Sequence, residues 1–466
     1  MDSLPPELLA KIASFLPNTA DLKRMRLVNK RFAAIALRPL FELLRFSGRR
    51  QDETPPWNFG PTFEPELPEG HVGRTRTVEF GKLPEVVDEL IDSSLARYTK
   101  TLVFDPAYYR EKFWQDYLMQ LENEMHEPVD DVDFGPDDGS DEEDWEAAID
   151  RVLEHRRARP EREAEVISTA RATWDEKIAE QKENEVAVAA ALTRLFGVTA
   201  ALEQIEIKPW VFDGHLLFPG LESCVSYGID VQRRGSFPCT FFLEIIARAL
   251  YAANRRIRHL RVSEFFAERL HDSPAIRHLF TGLQDIALEM IHIEFLADEA
   301  KKSQVLVELF KCAQPTLRGL SILCGGKWPQ LPARGGHSLL KMLGGGNDET
   351  DEAPLVFPLL KIVKLGGIIL STPPLLQFLR AQPSLKRLEF AHVYLSTPGT
   401  GWPSLIEALP TTVKSWKAFG RLGHEPVNAD GPTAYNWMTT WVPQESPMAG
   451  WKTIRHNNVT AFERVS

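Results

Sequence analysis

Pro383-Ser384-Leu385-Lys386-Arg387-Leu388-Glu389-Phe390 joins a helix stop to an alternating strand, and its spacing sets the architecture. The template is apolar, two residues, apolar, one residue, apolar. It recurs as Leu202/Ile205/Ile207, Ile257/Leu260/Val262, Leu283/Ile286/Leu288, Leu317/Leu320/Ile322 and Leu360/Val363/Leu365. Weaker copies stand at Thr75/Val78/Phe80, Thr99/Leu102/Phe104 and Val413/Trp416/Ala418. Between middle positions, Val78 to Leu102, Leu260 to Ile286, Ile286 to Leu320, Val363 to Leu388 and Leu388 to Trp416 are 24 to 34 residues apart, a solenoid spacing. Helical periodicity fills the intervals at Pro84 to Leu95, Phe241 to Ala253, Glu299 to Ala313 and Pro373 to Ala381.

Strand alternation turns the Leu and Ile positions toward a shared core and the residues between them toward the opposite face. His259, Arg261, Asp285, Glu289, Lys364, Arg387 and Glu389 are therefore candidate contacts for a protein substrate, the same pattern also fitting a solvated polar strand face. Five of the eleven tryptophans, Trp402, Trp416, Trp437, Trp441 and Trp451, fall in the last part of the chain and suit a cap on the open end of the array. Two insertions interrupt the series. One, residues 108–196, holds a helix around Tyr109 to Met125, an acidic run, and a helical stretch from Glu143. That stretch sets Trp145, Ile149, Val152 and Leu153, then Ile167, Ala170, Trp174 and Ile178, on apolar faces. The other, residues 325–353, is Gly-rich.

The N-terminus reads differently. Pro5 and Pro6 suit a helix start, and Leu8, Leu9, Ile12, Phe15 and Leu16 follow at helical period until Pro17-Asn18. Asp21 is placed to cap a second helix carrying Leu22, Met25, Val28, Phe32 and Ile35 until Pro39. So short a pair cannot bury its whole stripe alone, so part of it must meet either the rest of this chain or another protein.

Leu4-Pro5, the spaced Leu and Ile positions, and the closing Val28, Lys30 and Phe32 resemble the F-box family over Leu4 to Phe41. Phe32 stands where many members have Trp, and Asn29 where Ser or Cys is common. The resemblance implies docking on a Skp-type adaptor, and through it a cullin, with Leu4, Pro5, Leu8, Ile12, Leu16, Val28, Lys30 and Phe32 as adaptor-binding residues. The repeats are similar to the leucine-rich repeats that follow the F-box in many such proteins, most like divergent fungal ones. They depart from the regular pattern, because its Asn position holds Trp210, Phe265, Ile291, Gly325, Ile368 and Val393. The expected organisation is a helical F-box (1–46), a Pro- and Gly-rich connector (47–73) and an irregular α/β strand-helix solenoid (74–466) with a helical, acidic insertion. The expected function is that of a substrate-recognition subunit of a Skp-cullin-F-box ubiquitin ligase, the alternative being an F-box scaffold without a ubiquitination role.

The formal net charge of −11 is local in origin. Glu127 to Glu146 holds eleven acidic residues and no Lys or Arg, which leaves 54 basic against 54 acidic residues elsewhere. That balance argues against a protein-wide field suited to nucleic acid. Met1 to Arg50 is an exception, with ten Lys or Arg against four Asp or Glu. Asp2 and the Pro5-Pro6 pair break any signal-peptide pattern, and Lys361, Lys364 and two prolines break the apolar stretch from Leu355 to Leu376, so no membrane span is expected. Sparse Cys224, Cys239, Cys312 and Cys324 in apolar surroundings point to free thiols in cytosol or nucleus.

No catalytic or cofactor pattern emerges. Gly325-Gly326-Lys327 lacks the upstream Gly of a phosphate loop at Ser321, and Asp133-Phe134-Gly135-Pro136-Asp137 misplaces the oxygen ligands of a calcium loop. The cysteines are too widely spaced for a metal knuckle, and His271 and His278, seven apart, are placed to share a helix face. No enzyme activity, cofactor or metal is expected.

Overall fold

The computed structural model of the chain describes residues 5–14, 19–48, 74–109, 111, 114–115, 118, 142–208, 238–265, 270–290, 299–324, 343, 354–395, 402–424, 439–441, 451–456 and 459–464. Three helices open the chain: α1 (Pro6–Ser14), α2 (Thr19–Arg26) and α3 (Lys30–Phe41). The alternating part then runs β1 (Leu43–Ser47), β2 (Arg74–Thr77), α4 (Leu83–Asp92), β3 (Thr101–Asp105), α5 (Glu142–Val198), β4 (Gln204–Ile207), α6 (Pro238–Ala252) and β5 (His259–Phe265). It continues with α7 (Pro274–Phe280), β6 (Asp285–Met290), α8 (Glu299–Ala313), β7 (Gly319–Cys324), β8 (Ile362–Leu370), α9 (Thr372–Arg380), β9 (Arg387–Leu395), α10 (Trp402–Glu407) and β10 (Ser415–His424). Strands β11 (Thr439–Trp441), β12 (Trp451–His456) and β13 (Val459–Arg464) finish it.

All thirteen strands share one sheet, in the order β12-β13-β10-β9-β8-β7-β6-β5-β4-β3-β1-β2, with β11 on β10. Pairings from β2 across to β10 are parallel. The register follows the apolar template, so Leu102, Ile205, Leu260, Ile286, Leu320, Val363, Leu388 and Trp416 form one continuous row. Every member of that row is buried. Helices α4 to α9 contribute Leu83, Val87, Leu195, Phe242, Ile246, Leu279, Phe310 and Phe378 to the same core. This is a strand-helix parallel array, since each strand's apolar face closes only when the next repeat's helix covers it.

The ends are closed by different means. At the far end the antiparallel β13 lies against β10, and the buried Trp416 ring stacks on Phe462 at 3.9 Å between centroids. Trp402 and Trp451 are also buried; Trp437 lies outside the described residues. At the near end the array begins earlier than the sequence pattern indicates. Residues 43–47, expected within the helical module that ends at 46, form β1 and pair with both β2 and β3. Leu44 and Phe46 then join the sheet core.

The insertion is largely one helix. α5 spans 57 residues, and its second half fills the helix position between β3 and β4 by burying Val188, Ala191, Leu192, Leu195 and Phe196. Further back, Gln181 closes a reciprocal pair with the Tyr109 backbone (2.7 and 2.9 Å), and Trp174 meets Tyr109 edge-on. Ala170, Trp174 and Ile178 are buried as the periodicity predicts. The last part of the acidic run, from Glu142, is helical. The rest of the run, the connector 49–73 and nearly all of the Gly-rich loop lie outside the described residues, as does most of the helix expected at Tyr109 to Met125.

Candidate interaction surfaces

The expected second N-terminal helix is two. Asn29 adopts an extended conformation, and its side chain accepts a hydrogen bond from the Phe32 N–H at 2.9 Å, so it caps α3 and breaks the stripe at residues 27–29. Asp21 is not a cap: it lies inside the first turn of α2 and pairs with Arg24 at 3.2 Å. Pro39 does not stop the helix either, which runs on to Phe41.

This split divides the apolar stripe. Ala13, Leu22, Ala36, Leu40 and Phe41 pack together against Met25, Ile35, Leu37, Leu95 and Tyr98, which ties the helices to the start of the array. Leu9 is also buried. Leu8 and Ile12 each stay 48% exposed, and Leu27 and Val28 reach 86% and 66%. Those four are four of only ten exposed large apolar side chains among the described residues. Full burial of a fully exposed side chain of this kind provides about 1.5–3 kcal/mol, of which Leu27 and Val28 forgo most and the half-exposed Leu8 and Ile12 about half. Pro5 and Lys30 are exposed as well, whereas Phe32 is buried at 8%. Leu4 and Leu16 lie outside the described residues. Leu27, the most exposed of all, was visible in the sequence as a Leu-Val pair directly before the Asn29 cap.

Residues 1–45 match the F-box-like family. The chain carries an F-box-like domain. No curated protein matches the chain. The matched segment thus runs three residues into β1, and its last helix leads directly into the sheet.

On the sheet face opposite the core, the candidate residues fall into neighbouring register positions. His259 Nδ1 lies 2.8 Å from Asp285 Oδ2. A Cβ on Gly319, the next residue in that row, would stand 2.2 Å from Asp285 Oδ1, so a larger residue there would require this carboxylate to shift from its present position. In the next row, Glu206 is paired with Arg261 at 3.5 Å and with Lys208 at 3.1 Å. These are charge contacts rather than aligned hydrogen bonds, because Glu206 Oε1 is buried without a directional partner. Glu289 is half-buried on the same face.

Glu389 corrects the sequence reading. It does face away from the core, yet it is only 2% exposed. Lys364 Nζ stands 2.9 Å from its Oε2, and the Arg387 guanidinium contacts its other oxygen. The register explains this, since Lys364 and Lys417 flank Glu389 on the two neighbouring strands and long basic side chains fold over the shorter acid. Glu389 is thus an internal anchor for two cations, and Lys364 and Arg387 are what this part of the face presents. His271 and His278 share no helix face, for α7 starts at Pro274. His271 instead meets Glu244, and His278 the Arg255 carbonyl.

Proposed function

We propose that this protein is a substrate-recognition subunit of a Skp-cullin-F-box ubiquitin ligase. Its F-box-like domain docks on a Skp-type adaptor and, through it, a cullin; its leucine-rich-repeat-like sheet holds a protein substrate. The observation that carries the first half is the exposure of Leu8, Ile12, Leu27 and Val28 on a domain that matches the F-box-like family. Unpartnered apolar side chains of this density mark a protein interaction site. The exposed basic residues around them, among them Lys11, Lys23, Arg24 and Lys30, favour an adaptor with an acidic surface, chiefly through the association rate.

The chain performs no chemistry of its own in this reading. It acts in cytosol or nucleus by proximity, raising the effective concentration of a substrate lysine near a ubiquitin-charged enzyme. Capture of a purified Skp-type adaptor tests the docking half. Leu8→Asp/Ile12→Asp and Leu4→Ala/Pro5→Ala should each abolish capture with the fold retained, and unchanged capture would overturn the assignment. Point variants are preferable to removal of residues 1–46, which would take β1 with it. For the ligase half, proteins co-purified from cells with the proteasome blocked should carry ubiquitin only when those side chains are intact. Partners retained without ubiquitin would identify a scaffold instead.

A further inference from the structure

One register row lies just before the strands and is built from the residue that follows the first apolar position of each repeat. Backbone bonds link its members directly: Arg318 N–H to Gln284 O (2.6 Å), Lys361 to Arg318 (2.7 Å), Lys386 to Lys361 (2.9 Å) and Lys414 to Lys386 (2.8 Å). The same row runs back through Arg258, Glu203, Lys100 and Glu42. In that first half the signs alternate and pair, Glu42 with Lys100 and Glu203 with Arg258. From Arg318 onward they do not. Arg318, Lys361, Lys386 and Lys414 are four exposed cations on four adjacent strands, spaced about 4.8 Å apart.

Like charges held in register on neighbouring strands cost stability, so nothing in the fold calls for this arrangement. Among the described residues no carboxylate forms an ion pair with any of the four. Two carboxylates of the adjoining sheet face are engaged elsewhere, Asp285 by His259 and Glu389 by Lys364 and Arg387. A concentrated positive edge on a chain of formal net charge −11 is a local exception to the overall field.

We infer that this rim, Arg318–Lys361–Lys386–Lys414, binds an acidic segment of a partner polypeptide rich in Asp and Glu. Charge complementarity selects the sign. The flexible Lys stems absorb the difference between the rung spacing of about 4.8 Å and the ~6.6–6.8 Å between alternate side chains of an extended peptide. A nucleic acid fits less well, because the row has no aromatic side chain on which bases could stack. In the ligase reading the acidic segment belongs to the substrate, and on that point the inference rests on the proposed function. The binding itself does not.

The test is fluorescence anisotropy with the full chain and a labelled oligoglutamate peptide, at low and at physiological ionic strength. The intact protein should bind, more weakly as salt rises. Replacing Arg318, Lys361, Lys386 and Lys414 together by Gln should weaken binding at least about tenfold. The charge-preserving set Arg318→Lys, Lys361→Arg, Lys386→Arg and Lys414→Arg should retain it, which separates charge from folding. Absent binding, equal affinity in the Gln variant, or an oligothymidylate that binds through the same four residues more tightly than the peptide would overturn the inference. The Gln variant should still capture the adaptor, and Leu8→Asp/Ile12→Asp should still bind the peptide. Failure of docking and failure of the rim are therefore read independently.

Discussion

The array and the N-terminal helices carry the same kind of apolar stripe and treat it in opposite ways. Leu385, Leu388 and Phe390 are buried to within 1% because a helix and the next strand close over them, repeat after repeat. Leu8, Ile12, Leu27 and Val28 stay in water because three helices of 8–12 residues, packed on one another, close over only one side of the stripe. A stripe that the fold can close reports architecture; one that it cannot close reports a partner. The same difference separates the two halves of the charged rim, where paired signs are structural and unpaired ones are left to act.

The contrast is sharpest in the array. Leu388→Ala leaves a cavity in the middle of the apolar row and should destabilise by about 2–5 kcal/mol in reversible denaturation. Equivalent truncation of Ile12, half in solvent, should cost far less. Equal losses at the two positions would dissolve the distinction between closed and open stripes.

Glu389→Ala comes next. It removes the carboxylate that Lys364 and Arg387 share, and a loss of about 1–3 kcal/mol is expected, as when one partner of a buried polar contact is removed. The upper range for broken buried ion pairs is not reached, because the two cations are 34% and 38% exposed and can regain water. A loss below about 0.5 kcal/mol, the range for featureless surface sites, would show that the acid does not anchor its neighbours.

How far the sequence revealed this depends on what each pattern encodes. The apolar template located the starts of β4 to β10 within two residues and set their register, because a shared core demands regular spacing, but β8, β9 and β10 run five or six residues beyond its last position. The helix bounds were legible for the same reason, Glu299 to Ala313 being the clearest case. The burial of Glu389 was not legible, since alternation fixes a face but not which long cations will fold across a shorter acid. Asn29 was read as a departure from a family pattern, when its φ of −164° and its bond to Phe32 N–H make it the break between two helices. The basic rim stands in the sequence as Leu317-Arg318, Leu360-Lys361, Leu385-Lys386 and Val413-Lys414, each cation next to an apolar template position whose periodicity dominates the pattern.

A smaller effect tests the local geometry that opens the stripe. Asn29→Ala deletes the cap of α3 and should cost about 0.5–2 kcal/mol, typically near 1. Because α3 also supplies Ala36, Leu40 and Phe41 to the helical core, adaptor capture should weaken in parallel. Asn29→Ser keeps a capping oxygen and should recover most of both. Failure of Ser to recover either would mean that Asn29 acts through something other than its cap.

The smallest expected stability change carries the largest functional one. Val28 is 66% exposed in a short break between helices and belongs to neither the helical core nor the sheet core. Val28→Ser should therefore move stability by no more than roughly 0.5 kcal/mol, the range for surface substitutions. Capture of a Skp-type adaptor should nonetheless fall sharply, because the side chain's apolar area would be buried only in the complex, and a hydroxyl placed there would need a hydrogen-bond partner. Thermal denaturation and adaptor titration on one preparation decide it. A variant that melts early would mean that the break at residues 27–29 packs more tightly than its exposure indicates. One that melts normally and still captures the adaptor would remove Val28 from the docking surface, leaving Leu8, Ile12 and Leu27 to carry it.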